Sequence, residues 1–249
     1  MIGRSSAAAL SSLALVVGVA VPAQAATESD MCEIQSFEVI WGLKESFRSY
    51  LSSTIANGDW EVSGNVDYNT PVFTIVGDDG LVAPDLSEGE LKTTGSIRFI
   101  GHDGLLDQTL SAPRITFRDG DVFVTFDVSG DTQEGVSVDQ AGVAFVALDA
   151  TEAVIDSERG TWSVTTAPTT LTGEGAAAFG TYPAGEAFDP IDISFQTVPG
   201  CLDEPFSPRL FLGLGLGSAV TVSLAILLAR RWRERGRRGP AESSDQNPE

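Results

Sequence analysis

Apolar and polar residues alternate over short runs through most of this chain, and in one place the period lengthens to that of a helix. Phe37, Val39 and Trp41, interleaved with Glu38 and Ile40, read as a short strand that Gly42 breaks. From Leu43 the spacing changes. Phe47, Leu51 and Ile55 recur at helical spacing and predict a buried stripe, while Leu43, Ser46, Tyr50 and Thr54 fall on an adjacent face. Ser46 and Tyr50 thus point the same way, one turn apart, and Asn57-Gly58 supplies the stop. Beyond Gly58 the pattern holds no other strong helix before residue 209. It consists of β-rich runs at Trp60–Val66, Pro71–Val76, Gly95–Ile100, Arg114–Phe117, Val122–Val128, Val143–Leu148, Trp162–Thr166 and Ile191–Phe195. Asp78-Asp79-Gly80 and Asp119-Gly120-Asp121 read as hairpin tips between such runs. The expected fold is mainly β, an antiparallel β-sandwich or curled sheet with one short packed helix.

The two ends follow other rules. Residues 1–25 have the form of a secretory signal: Arg4, an apolar stretch from Ala7 to Ala20, and the small-residue site Ala23-Gln24-Ala25. Leu210 to Ala229 is twenty residues without a charge, followed at once by Arg230-Arg231-Trp232-Arg233 and four more charged residues. At about 1.5 Å per residue that stretch spans a hydrocarbon core, and the arginines set the cytoplasmic side. The expected organisation is a signal peptide at 1–25, an extracellular domain at 26–208, a single transmembrane helix at 209–229 and a basic cytoplasmic tail at 230–249. The segment before Leu210, Pro205-Phe206-Ser207-Pro208-Arg209, carries no Leu-Pro-x-Thr-Gly pattern.

Composition then narrows the chemistry. Of 35 acidic and 15 basic residues, all but four acids and eight bases lie within 26–208, a net charge of −24 that argues against nucleic acid and anionic lipid as partners of the domain. Cys32 and Cys201, the only cysteines, bracket the whole domain and are expected to be disulfide-bonded in an oxidising compartment. One histidine, His102, serves all 249 residues, in Gly101-His102-Asp103-Gly104, where the flanking glycines allow a tight corner. Zinc sites built on paired histidines and two-histidine iron sites therefore lack a ligand. By residue type alone His102 serves a turn as readily as a ligand, and Tyr50 serves as a core-facing phenol just as well.

Four segments change that balance. They are Trp41-Gly42-Leu43-Lys44-Glu45-Ser46-Phe47-Arg48-Ser49-Tyr50, then Gly101-His102-Asp103-Gly104-Leu105-Leu106-Asp107-Gln108-Thr109-Leu110-Ser111-Ala112-Pro113, then Leu171-Thr172-Gly173-Glu174-Gly175-Ala176-Ala177-Ala178-Phe179, and Tyr182-Pro183-Ala184-Gly185-Glu186-Ala187-Phe188-Asp189-Pro190. In that order, from about Phe37 to Phe195, the chain resembles the HtaA-type haem-binding domain of Gram-positive haem-uptake proteins. The resemblance implies ferric haem held by a tyrosine, Tyr50, with His102 hydrogen-bonded to that ligand and no sixth protein ligand. It places Ser46 and Tyr182 at the propionates. Family members have an aromatic residue just before that last tyrosine; here stands Thr181, which implies weaker ring stacking, with Phe179 as the substitute. Lys44 and Arg48 are further local donors.

The implied chemistry is coherent. Tyrosinate is a known axial ligand of haem iron, and an anionic oxygen suits Fe(III) better than Fe(II). The expected function is a surface-anchored haem-binding protein that captures ferric haem and relays it toward an importer, its partners being the importer's substrate-binding protein or other surface haem proteins. It is not expected to be an enzyme: the many carboxylates form no paired motif, and a tyrosinate site without a distal histidine is poorly equipped to cleave peroxide. The alternative is an adhesin-like ectodomain that meets a protein partner without haem.

Overall fold

The computed structural model describes residues 31–203. In chain order the elements are β1 (Cys32–Trp41), α1 (Glu45–Leu51), β2 (Asp59–Gly64), β3 (Val66–Asn69), β4 (Val72–Gly77), β5 (Asp79–Val82), β6 (Glu88–Lys92) and β7 (Gly95–Gly101). A one-turn 3-10 helix (His102–Gly104) leads into β8 (Leu106–Arg118), β9 (Asp121–Asp131), β10 (Ser137–Leu148), β11 (Val154–Asp156), β12 (Thr161–Leu171), α2 (Gly173–Phe179) and β13 (Ala187–Thr197).

All strand pairs are antiparallel, and eight of the strands form a closed circuit. β1 pairs with β13, β13 with β12, then come β10, β9, β8, β6 and β5, and β5 returns to the start of β1. The sheet therefore curls until it closes and is not a two-sheet sandwich. Closure removes two edges that would otherwise offer unpaired backbone groups.

Two long strands divide their length between partners, and this opens room for the helices. The first half of β8 pairs with β7 and the second half with β6. Between them, at Ala112-Pro113, the register shifts, Ala112 takes φ 48°, and the buried set changes from Leu106, Gln108 and Leu110 to Pro113, Ile115 and Phe117. An extra residue in a strand turns the following side chains to the other face, so the bulge redirects β8 without exposing its apolar side. β1 divides similarly: Cys32 and Glu33 pair with β5, whereas Phe37 to Trp41 pair with β4. Beyond these forks β3 extends from β4 and β2 from β7. Helix α1 follows directly on β1, and Phe47 packs its ring 5.1 Å from Phe99 of β7 and 4.9 Å from Phe179 of α2.

Several expectations need correction. The helix predicted through Ile55 ends at Leu51, and Ile55 is 74% exposed instead of buried. Asn57-Gly58 lies beyond a turn and does not terminate the helix. A second helix exists, α2, capped at its start by Thr172, whose Oγ1 accepts from Gly175 N, and closed by Gly180 at φ 71°. Its run of Gly and Ala has too few large apolar residues to show a period. Asp78-Asp79-Gly80 is no hairpin tip, since Asp79 and Gly80 belong to β5 and pair with Lys92 and Leu91. Asp119-Gly120 does close a two-residue hairpin between β8 and β9.

Cys32 and Cys201 are disulfide-bonded, with Cα atoms 5.7 Å apart and 169 residues between them in sequence. The bond joins the start of β1 to the segment after β13, its sheet neighbour. Closing a loop of that length restricts the unfolded chain by about 5 kcal/mol in the entropy model. The expected signal, transmembrane and tail segments lie outside the described residues, among which no helix is long and apolar enough to cross a membrane.

Candidate functional site

Tyr50, on the last turn of α1, and His102, in the β7–β8 connection, meet although 52 residues separate them. The Tyr50 hydroxyl and His102 Nε2 share a hydrogen bond of 2.7 Å, and both side chains remain partly open to solvent. Two glycines permit the approach. A Cβ on Gly58 would lie 2.3 Å from the Ile100 carbonyl, and one on Gly101 would lie 2.8 Å from Leu51 Cδ1. The end of α1 and the end of β7 thus pack backbone to side chain with nothing between them.

His102 is held by its main chain as well. Its N–H donates to the Ala56 carbonyl at 2.7 Å, and its own carbonyl accepts from Leu105 N at 3.1 Å. The corner is not made by Gly101, which is extended, but by His102 and Asp103, both at φ 53°, together with Gly104 at φ 90°. Left-handed backbone costs a non-glycine residue roughly 1–2 kcal/mol, so surrounding contacts must hold it. One such contact is the pair Arg98–Asp107, which clamps β7 to β8 just below the turn with two 2.7 Å bonds. The hydrogen bonds from Arg98 hold the Asp107 carboxyl below its ordinary range, and the carboxylate in turn pushes the guanidinium up.

The second pair is Ser46 and Tyr182. Ser46 Oγ and the Tyr182 hydroxyl lie 3.1 Å apart. Because Ser46 and Tyr50 stand one helical turn apart on α1, with Cβ atoms roughly 5–6 Å from each other, both hydroxyl pairs face the same side of that helix. Tyr182 is backed from below by Phe179, whose ring stacks on it at 6.4 Å, and by Phe188 edge-on at 5.8 Å. Around His102 the surface is apolar at two exposed residues, Ile55 and Leu105. The four residues singled out in the sequence are therefore brought to one face as two hydrogen-bonded pairs.

Other expected donors are engaged elsewhere. Arg48 is buried, with Nε donating to the Gly42 carbonyl at 2.6 Å and Nη2 to Asp189 Oδ2 at 3.2 Å. Lys44 donates to Glu186 Oε1 at 2.7 Å and to the Ala187 carbonyl at 2.5 Å. Arg48 is turned into the core, whereas Lys44 Nζ, paired with Glu186, stands 5.3 Å from the centre of the Tyr182 ring. Phe179 is fully buried and supports Tyr182 from the core; it cannot replace the missing aromatic at Thr181 as a stacking surface.

Three groups that position the site were not singled out in the sequence: the Ala56 carbonyl, Gln108 and Asp189. Gln108 is fully buried and donates through Nε2 to the Ala178 carbonyl at 2.8 Å, tying β8 to α2. Asp189 reaches α1 across 144 residues. No local signal marks such contacts, although a glutamine at a core-facing strand position is itself unusual. Among the described residues no three His, Cys, Asp or Glu side chains gather into a group that could hold a metal ion.

Solved structures that match this chain come from Corynebacterium glutamicum. The C-terminal domain of HtaA matches with TM-score 0.59 and 27% identity, over 67% of this chain and 99% of that one. The N-terminal domain of HtaA matches with TM-score 0.54 and 22% identity, over 69% and 99%. A protein described as heme binding protein HtaB matches at 23% identity over 67% and 96%, with TM-score 0.48. A search of curated proteins found no match. The HtaA family model covers residues 36–194, well over half of the sequence and all of the face just described, and the chain belongs to the HtaA family.

Proposed function

We propose that this domain binds ferric haem, with Tyr50 as the axial ligand, and hands it on toward a haem importer at the cell surface. The observation that carries the reading is the 2.7 Å bond between Tyr50 and the chain's single histidine, on a face still open to solvent. Haem supplies the Fe(III) and a planar apolar ring; the chain's residues supply the rest. Phenolate oxygen is a hard anionic donor suited to Fe(III). When the Tyr50 hydroxyl gives up its proton, Nε2–H of His102 can donate to the phenolate oxygen, orienting the phenol ring and holding a proton at Nε2. The exposed Ile55 and Leu105, next to the backbone contacts of His102, offer apolar surface in its neighbourhood. Ser46 and Tyr182, hydroxyl to hydroxyl, provide donors for a carboxylate edge, a role that would replace their mutual bond.

The Tyr50 side chain is already half-open to solvent, and one protein ligand leaves an open approach for an acceptor. This favours transfer over storage. With residues 209–229 read as a membrane anchor, the domain stands outside the cell and at raised effective concentration toward an importer in the same membrane. No turnover belongs to this reading.

Titration of the full-length protein with hemin tests it. Wild type should develop a Soret band with tyrosinate-to-iron charge-transfer absorption, and Tyr50→Phe should lose both the charge-transfer absorption and the haem. An unchanged spectrum in Tyr50→Phe removes Tyr50 as the ligand, and the absence of any Soret change in wild type removes haem.

A further inference from the structure

Helix α1 is seven residues long, and its N-cap residue, Lys44, makes no side-chain cap. Isolated helices shorter than about 12 residues do not hold their shape in water, so contacts from outside the helix must fix its start and its rotation. Those contacts converge on one residue of β13. Asp189 Oδ1 accepts from Glu45 N at 3.0 Å, taking the part an N-cap side chain would play, and Oδ2 accepts from Arg48 Nη2 at 3.2 Å, one turn further along. Its backbone is engaged too: its N–H donates to the Leu43 carbonyl at 3.0 Å, and its carbonyl accepts from Trp41 Nε1 at 2.8 Å and Thr169 Oγ1 at 2.9 Å. Gly42 makes room, since a Cβ there would stand 2.4 Å from Asp189 Oδ2.

We infer that Asp189 is the positioning residue for the Tyr50 ligand, its carboxylate fixing where α1 begins and how far it is rotated; the inference rests on the haem-binding reading for its consequence but not for its geometry. Two bonds from one carboxylate, to the first helical N–H and to a side chain one turn on, define both an axial height and an angle. A rotation of α1 would swing the Tyr50 hydroxyl away from His102, which is carried by the paired strands β7 and β8 and bonded to Ala56 in the turn after the helix. Asp189 touches neither Tyr50 nor His102, so its effect must pass through the helix. The same segment carries Tyr182 and Glu186 onto α1, so one stretch of chain aligns both hydroxyl pairs.

Because the chain has one histidine, the side-chain ¹⁵N resonances of a single imidazole report the Tyr50–His102 bond with no haem present. In full-length Asp189→Ala the Nε2 resonance should move toward that of a solvent-exposed imidazole, and haem should dissociate about 10-fold faster, the scale of losses seen when a group that orients a metal ligand is removed. Asp189→Asn, which keeps an oxygen for Glu45 N, should fall between Asp189→Ala and wild type. Asp192→Asn, on the same strand and bonded to Thr166 N instead of α1, should match wild type. An unmoved imidazole and an unchanged dissociation rate in folded Asp189→Ala overturn the inference. If Asp189→Ala does not fold, Asp189→Asn decides on the same readouts. A shifted imidazole in a protein whose wild type takes up no haem upholds the positioning and sinks the haem reading instead.

Discussion

Strand β8 begins and ends in a tight turn containing Asp-Gly, and only the first of the two leans on distant parts of the chain. The turn at its end, Asp119-Gly120, is self-sufficient. Its φ values of 55° and 86° are those of a two-residue hairpin, Asp-Gly is the pair such a hairpin prefers, and an added Cβ on Gly120 would meet nothing within 4 Å. The turn at its start holds the same pair, Asp103-Gly104 at φ 53° and 90°, but places a further left-handed residue, His102 at φ 53°, ahead of it and borrows support from Ala56, Leu51 and Gly58 far back in the chain. The first kind of turn only reverses the chain. The second kind holds a side chain at a fixed place, and the cost of its backbone is met by contacts that a hairpin does not need.

The largest effect should come from removing the borrowed support. Gly58→Ala would put a methyl carbon 2.3 Å from a backbone carbonyl that cannot swing aside, so the α1 end and β7 must separate. Denaturant unfolding should show a loss of about 3 kcal/mol, the upper end for overpacking, together with disturbance of the His102 imidazole. The hairpin at the other end gives the contrast. Gly120→Ala meets no neighbour and costs only its left-handed φ, about 1 kcal/mol by the same measurement, and should leave the His102 signal and haem binding in place. Equal losses in the two variants, or an undisturbed imidazole in Gly58→Ala, would erase the distinction between the turns.

The same contrast separates what could be read in the sequence from what could not. Asp119-Gly120 announces its hairpin in two residues, and the alternation along Val122–Val128 or Ile191–Phe195 announces strands, because those structures depend on neighbours in sequence. Ser46 and Tyr50 could be placed on one helical face for the same reason. Closure of the sheet could not be read, since it depends on β13 choosing β1 and β12 as neighbours. The short β3, β5, β6 and β11 offer too few residues for a period to show. At the site, chemistry-bearing residues stood out by type and by family resemblance, whereas Asp189 and Ala56 act through contacts across 144 and 46 positions. Arg48 escaped the reading for a related reason: a cation on a binding helix looks available until the strand residue that neutralises it, Asp189, is seen.

The smallest expected effect concerns charge at the foot of the two turns. Below His102 the Arg98–Asp107 pair joins β7 to β8, while at the other end Arg118 lies 5.0 Å over the Phe123 ring and enters no ion pair among the described residues. Hydrogen bonds from Arg98, with the attraction of its charge, lower the folded-state pKa of Asp107. A carboxyl depressed on folding adds stability that is fully present above its unfolded pKa, about 3.9, and is lost as pH falls through the lower folded value. Both side chains are about two-fifths exposed, so solvent screens the pair and the contribution is modest. Wild type should therefore be more stable than Asp107→Asn above about pH 4, and the two should converge on further acidification. A gap between wild type and Asp107→Asn that stayed constant down to the lowest pH would mean that packing of the side chain, and not its charge, ties the strands together under His102.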